Sequence, residues 1–200
     1  ALIDTIAAEK RLCKLVHLPV QHGSDTILKR MNRVYTVEHY KNRIKRLKET
    51  IPDIALSTDI LMGFPGETEE DFNELMDFVR WARFERMGAF AYSHEEGTYS
   101  ALHYEDDVPQ EVKQQRLDKL MALQQEISAE IEAEKIGQTL KVIIDRKEGE
   151  YYIGRSEFCS PDVDPEVLIK VELPLTIGNF YDVKITAADE FDLYGDVANG

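Results

Sequence analysis

Apolar and polar positions alternate along this chain in two distinct periods, and the clearest boundary between them lies at Gly63. Ile54 to Met62 is an apolar, β-branched-rich run of strand length, stopped abruptly by Gly63, Pro65 and Gly66. Thr68 stands three residues before Asp71, a capping-box-like pair with Asp in place of Glu or Gln. Glu67, Glu69 and Glu70 add the negative charge that a helix start favours. Phe72, Leu75, Met76, Val79 and Ala82 then follow at spacings of three and four, an apolar stripe that packs a helix back on the strand. The pattern predicts a βα unit with a glycine-rich turn.

The same alternation recurs on both sides. Ala1 to Lys14 reads as the tail of a helix, so that the chain starts within an element, and Cys13 to Val20 as a strand entering the polar loop Gln21–Asp25. Ile27, Leu28 and Met31 predict a short helix. Thr36 caps a longer one, with Val37, Tyr40, Ile44 and Leu47 inward, its basic residues Lys41 to Lys48 mostly solvated, and Pro52 as its stop. Met87 to Tyr92 is a third strand, leaving through Ser93–Thr98. Strands and helices in turn imply a parallel sheet or an α/β barrel, and three units are too few to close a barrel. Pro109 to Lys135 is a long bridging helix with Leu117, Leu120, Met121, Leu123, Ile127 and Ile131 on its apolar stripe.

From Ile136 the period shortens. LKVIID, YYIGRSEF, VLIKVEL, FYDVKITAA and FDLYGDV are five short β segments, which predict a small OB-like barrel appended as a binding module. The expected division is residues 1–135, part of an α/β barrel with its bridging helix, and residues 136–200, the module. An open half-barrel leaves sheet edges unpaired, so association or poor solubility is expected of this chain.

Ligands of parallel α/β folds bind outside the carboxyl ends of the strands, which directs attention to the three exit loops. Gly63 and Gly66 either admit a ligand close to the backbone or merely make the turn. Glu67 is either a ligand contact or helix-start charge. Charge changes the picture further. The 200 residues carry a net −14, but residues 1–50 hold eleven Lys and Arg against five Asp and Glu, and residues 137–200 hold six against thirteen. The body is thus acidic, which disfavours phosphate backbones and suits basic partners. Cys13 and Cys159 form neither a disulfide framework nor a metal motif, and the five histidines include no H-E-x-x-H. No apolar run reaches membrane-spanning length and the first residues lack a signal-peptide core, so a cytoplasmic protein is expected.

Four segments carry a family resemblance: HLPVQHGSD (His17–Asp25), LKRMNRVYT (Leu28–Thr36), STDILMGFPGETEEDF (Ser57–Phe72) and YSHEEGTYSA (Tyr92–Ala101). They resemble the radical S-adenosylmethionine methylthiotransferases, and Ile136 to Val197 resembles their C-terminal TRAM domain. FERMGAFAYSHEEGTY, HYEDDVPQEVKQQR, GEYYIGRSEF and PDVDPEVLIK are similar to the branch that modifies a ribosomal protein, whereas HLPVQHGSD with STDILMGFPGE is nearer the transfer-RNA branch. The acidic module favours the ribosomal branch.

The resemblance implies the later part of a radical SAM barrel followed by TRAM. It implies S-adenosylmethionine as cofactor, two 4Fe–4S clusters in the full-length protein, and transfer of a methylthio group to the β-carbon of an aspartate in small-subunit ribosomal protein twelve. The family's cluster cysteines are absent from this sequence, so no metal ligand or catalytic residue is assigned and the piece alone is expected to be inactive. Matched residue by residue, Gln21, Ser24, Arg33, Ile60, Gly63, Glu67 and His94 are the implied cofactor contacts, Arg33 as a bidentate partner for the methionyl carboxylate. Tyr152, Arg155 and Phe158 are candidate partner contacts, with barrel core as the alternative for Tyr152 and Phe158. The implied partners are a basic ribosomal protein, met through the acidic module, and the N-terminal half of the same protein, with no membrane and with nucleic acid only by way of the ribosome. A transfer-RNA methylthiotransferase fragment and a stand-alone binding module remain the alternatives.

Overall fold

Alternation within the central strand decides which side of the sheet is covered. In the computed structural model, which describes residues 1–160, 165–170 and 174–198, β2 spans Ala55–Met62. Its Leu56, Thr58, Ile60 and Met62 are buried, while Ser57, Asp59 and Leu61 between them are only half-buried. β3 (Arg86–Ala91) pairs with it in parallel, Ser57 opposite Arg86 through Met62 opposite Ala91. β1 (Leu15–His17) lies on the other side, giving the order β1-β2-β3.

β1 is shorter than the predicted run from Cys13 to Val20. Pro19 has no N–H to give a ladder and Gln21 turns the chain at φ 71°, after which Gln21 rejoins β2 as an isolated parallel bridge to Ile60. The first helix, α1, covers only Leu2–Ala8, because Glu9 is already extended. α2 (Asp25–Arg30), α3 (Val37–Thr50) and α4 (Glu69–Ala82) fall where the spacing predicts them. Thr68 and Asp71 form a reciprocal capping box on α4. A five-residue helix that the pattern did not predict, α5 (Tyr99–His103), follows β3, and α6 spans Gln110–Ala133.

The second part is a closed barrel of β4 (Thr139–Glu148), β5 (Tyr151–Ser156), β6 (Val167–Lys170), β7 (Phe180–Ala188) and β8 (Leu193–Val197), in the order β4-β5-β6-β8-β7. All neighbours are antiparallel except β6 and β8. Register shifts between Ile144 and Arg146 and between Ile185 and Ala187 supply the local bends that let so small a sheet close on itself. Val142, Ile144, Tyr152, Val167, Ile169, Val183, Ile185 and Leu193 fill the interior. Residues 171–173 of the predicted VLIKVEL strand, residues 161–164 of PDVDPEVLIK and residues 199–200 lie outside the described residues.

The chain divides into two compact units, Val16–Gln124 and a second formed by Ala1–Leu15 with Gln125–Gly200. None of the described helices is long and apolar enough to cross a membrane.

Candidate functional site

At the end of β2 the chain turns through Gly63 and Gly66, at φ 72° and 81°, backbone that L side chains rarely adopt. A Cβ on Gly63 would lie 2.4 Å from Cγ of Lys113, and one on Gly66 2.8 Å from the guanidinium carbon of Arg30. The close approach these glycines permit is therefore taken up by side chains of the chain itself. Lys113 Nζ reaches past Gly63 to both oxygens of Asp106 at 2.7 Å and to the Tyr92 carbonyl at 3.3 Å.

The turn ends on a buried carboxylate. The Glu67 side chain is 0% exposed and that of its partner Arg116 7%. Glu67 Oε1 accepts from Arg116 Nη1 at 2.6 Å, and Oε2 accepts from the Gly63 N–H at 2.7 Å. His22 Nε2 lies 3.1 Å from Oε2. The Ser24 N–H can only donate and points at His22 Nδ1 from 3.0 Å, so the hydrogen sits on Nε2 and is given to Glu67. A carboxylate removed from water is tolerated only when its oxygens are filled in this way. Beside it, the Ser24 hydroxyl donates to Asp71 Oδ1 at 2.7 Å, and Thr68 donates to Asp71 Oδ2 through its N–H at 3.0 Å and its hydroxyl at 2.7 Å. Burial raises the Asp71 carboxyl, but the bonds from Ser24 and Thr68 outweigh it and hold the group below the usual carboxylate value. The exits of β1 and β2 and the starts of α4 and α6 are thereby one hydrogen-bonded unit.

The other side of the sheet carries a different set. His17 Nδ1 is 2.7 Å from Ser57 Oγ and its Nε2 is 3.2 Å from Asp59 Oδ2, with His17 exposed and Ser57 and Asp59 half-buried. Gly88, opposite Asp59 in β3, leaves room for that carboxylate, since a Cβ there would lie 2.6 Å from Oδ1. Imidazole, hydroxyl and carboxylate on one open face make a polar surface that can accept hydrogen bonds from hydroxyl or amino groups. Sequence reasoning missed this set, although Ser57 and Asp59 alternate with the buried Leu56, Thr58 and Ile60 in β2. It also missed Lys113 and Arg116, whose signal was their place three residues apart on the apolar stripe that Leu120 continues.

The expected cofactor contacts divide into two groups. Ser24, Ile60, Gly63 and Glu67 are buried, Ile60 on the helix-covered face, with the polar atoms of Ser24 and Glu67 in internal bonds. Gln21 is half-buried and Arg33 and His94 are exposed. The Gln21 side-chain amide, the Arg33 guanidinium and the His94 ring nitrogens have no hydrogen-bond partner among the described residues, and His94 stands edge-on to Tyr92. In the barrel, Tyr152 is 7% exposed within the core, Phe158 packs against that core, and Arg155 Nε is held by Asp145 at 2.9 Å. Cys13 is exposed and Cys159 buried, and the described residues contain no group of three or more His, Cys, Asp or Glu placed to hold a metal ion.

Comparison with known proteins gives these features a context. Residues 1–79 match the radical SAM superfamily and residues 136–198 the TRAM domain. The chain is 58% identical over 199 residues, 99% of its length, to the ribosomal protein uS12 methylthiotransferase RimO of Bacteroides thetaiotaomicron. It is 50% identical over 198 residues to the protein of that name from Parabacteroides distasonis and 48% over 199 residues to that of Christiangramia forsetii. These alignments cover 46%, 46% and 44% of the relatives, so the chain spans about half their length.

Proposed function

Residues 1–79 match the radical SAM superfamily and residues 136–198 the TRAM domain, and from that premise we propose that the chain is part of a methylthiotransferase acting on ribosomal protein uS12. The observation that carries this reading is identity to proteins of that name, sustained through both compact units. In it residues 1–135 contribute part of the radical SAM barrel and residues 136–200 the appended module, in a cytoplasmic enzyme completed by an N-terminal half. The modified position is the β-carbon of an aspartate.

The residues present fit S-adenosylmethionine better than they fit a cluster. Gln21 and His94 follow the exits of β1 and β3 and Arg33 lies in the join between α2 and α3, each with side-chain polar atoms unbonded among the described residues, and a guanidinium such as that of Arg33 pairs well with the cofactor's carboxylate. The buried Glu67 network fixes the backbone on which Gln21 and the Gly63–Glu67 turn are carried. When bound, and cleaved by one electron from a cluster that the rest of the enzyme would hold, the cofactor would supply hydrogen-atom abstraction at an unactivated carbon. No set of cysteines here suits an iron–sulfur cluster, and the two clusters of the whole enzyme have no ligands among the described residues.

The acidic barrel supports a basic protein as partner over a transfer RNA. Its Arg146 and Arg155 are already bonded to Glu166 and Asp145, which removes two of the six cations a phosphate backbone would seek. Titration calorimetry of this chain with purified uS12, and with an anticodon stem-loop RNA, at two salt concentrations tests the assignment. Saturable, salt-sensitive binding to uS12 alone is expected. Binding to the RNA alone would transfer the chain to the tRNA-modifying branch.

A further inference from the structure

The segment after β3 combines two properties that do not usually coincide on a monomer surface. Residues 93–107 (SHEEGTYSALHYEDD) hold five Asp and Glu and no Lys or Arg. Their most prominent side chains are nevertheless apolar, with Tyr99 63% and Leu102 70% exposed. The His103 ring lies flat on Tyr99, 3.9 Å between centroids. Leaving large apolar groups in water forgoes the stabilisation of burying them, and an aromatic with a polar tip is the residue type that partner surfaces favour.

This patch stands on a fixed base. Thr98 caps α5 by accepting from the Ala101 N–H, and the Tyr92 hydroxyl donates to Ser100 at 3.0 Å. Asp107 accepts from the Gly66 N–H at 2.6 Å, Asp106 holds Lys113, and Tyr104 packs on Phe64. Two of the five carboxylates are thus fastened inward to the glycine turn. Glu95, Glu96 and Glu105 are left on the surface beside Tyr99 and Leu102 in the chain, the Glu95 carboxylate accepting, among the described residues, only from its neighbour Ser93.

We infer that residues 93–107 are a docking surface for a Lys- and Arg-rich segment of the substrate protein, laid across the exits of β2 and β3. Its cations meet Glu95, Glu96 and Glu105 or the face of Tyr99, and an apolar side chain covers Leu102. The carboxylates turn an RNA backbone away from the same patch. This inference rests on the reading that the substrate is uS12, and it places recognition on the radical SAM part as well as on the TRAM module.

The test uses the 200-residue chain and isolated uS12, with the RNA stem-loop as control. Tyr99→Ala/Leu102→Ser removes the apolar patch and Glu96→Lys/Glu105→Lys reverses its charge; all four side chains are exposed, and unchanged thermal unfolding verifies the fold. Glu49→Lys/Glu74→Lys makes an equal reversal at exposed positions of α3 and α4. Each variant at 93–107 is expected to weaken uS12 binding about tenfold or more, the charge reversal also flattening its salt dependence, while the α3/α4 variant stays within about twofold. If wild-type affinity survives both changes at 93–107, the docking surface is wrong and the uS12 assignment stands. Wild-type binding to the RNA alone, or to neither ligand, would overturn both. A wild-type dimer that Tyr99→Ala/Leu102→Ser returns to monomer would give the patch to a second copy and overturn the inference.

Discussion

At the scale of single residues, the most consequential group is Glu67, whose side chain holds Arg116, His22 and the Gly63 N–H together. Glu67→Gln removes the charge and leaves the Arg116 guanidinium with only the exposed Glu69 carboxylate, 3.3 Å from Nη2, in addition to its Nε, which has no partner among the described residues. Breaking a buried pair in this way costs about 3–5 kcal/mol, to be read as a lower denaturant midpoint. Asp71 behaves differently because its charge is balanced by hydrogen bonds. Its folded carboxyl titrates below the ordinary value, so the stability it contributes is present above about pH 4 and is lost as pH falls through the lowered folded value. Asp71→Asn is expected to cost about 1–3 kcal/mol at neutral pH. The gap from wild type should narrow in acid, measured by urea unfolding at neutral pH and at the acid limit of the native state.

At the scale of elements, the turn between β2 and α4 joins a backbone requirement to a packing one. Gly97→Ala at φ 82° meets nothing within 4 Å, whereas Gly63→Ala at φ 72° also drives a methyl into the Lys113 stem. Gly97→Ala should cost about 1–2 kcal/mol for the left-handed backbone, and Gly63→Ala measurably more in the same thermal unfolding assay. Much of this architecture was legible in the sequence because it is local: the run stopped by Gly63, the Thr68–Asp71 pair and the alternating segments beyond Ile136 each specify an element from neighbouring residues. The five-stranded barrel and the βα unit follow from them. The roles of Lys113 and Arg116 were not legible, since their contacts lie 49 residues away from Arg116 at Glu67 and 21 from Lys113 at Tyr92. α5 escaped notice because five residues show no helical period. The end of β1 was misplaced because a proline and a left-handed Gln21 interrupt an apolar run that looks continuous.

At the scale of the whole molecule, β1 and β3 are edge strands of a sheet that does not close, and Phe90 on β3 is 57% exposed. Unpaired edges recruit other strands, so sedimentation velocity of the chain alone should show concentration-dependent self-association; a monomer at every concentration would mean that the edges are protected. The charge imbalance, basic in the first 50 residues and acidic beyond, makes any such association salt-dependent. The central claim, that this chain is the later half of a uS12-modifying enzyme, is met most directly by joining it to the N-terminal half of the Bacteroides thetaiotaomicron relative. The hybrid is expressed in cells that lack their own enzyme, and uS12 and transfer RNA are weighed by mass spectrometry. The account predicts uS12 heavier by one methylthio group in place of hydrogen, on an aspartate, with transfer RNA unchanged and with no modification by the 200-residue chain alone. Unmodified uS12 beside newly methylthiolated transfer RNA would contradict it.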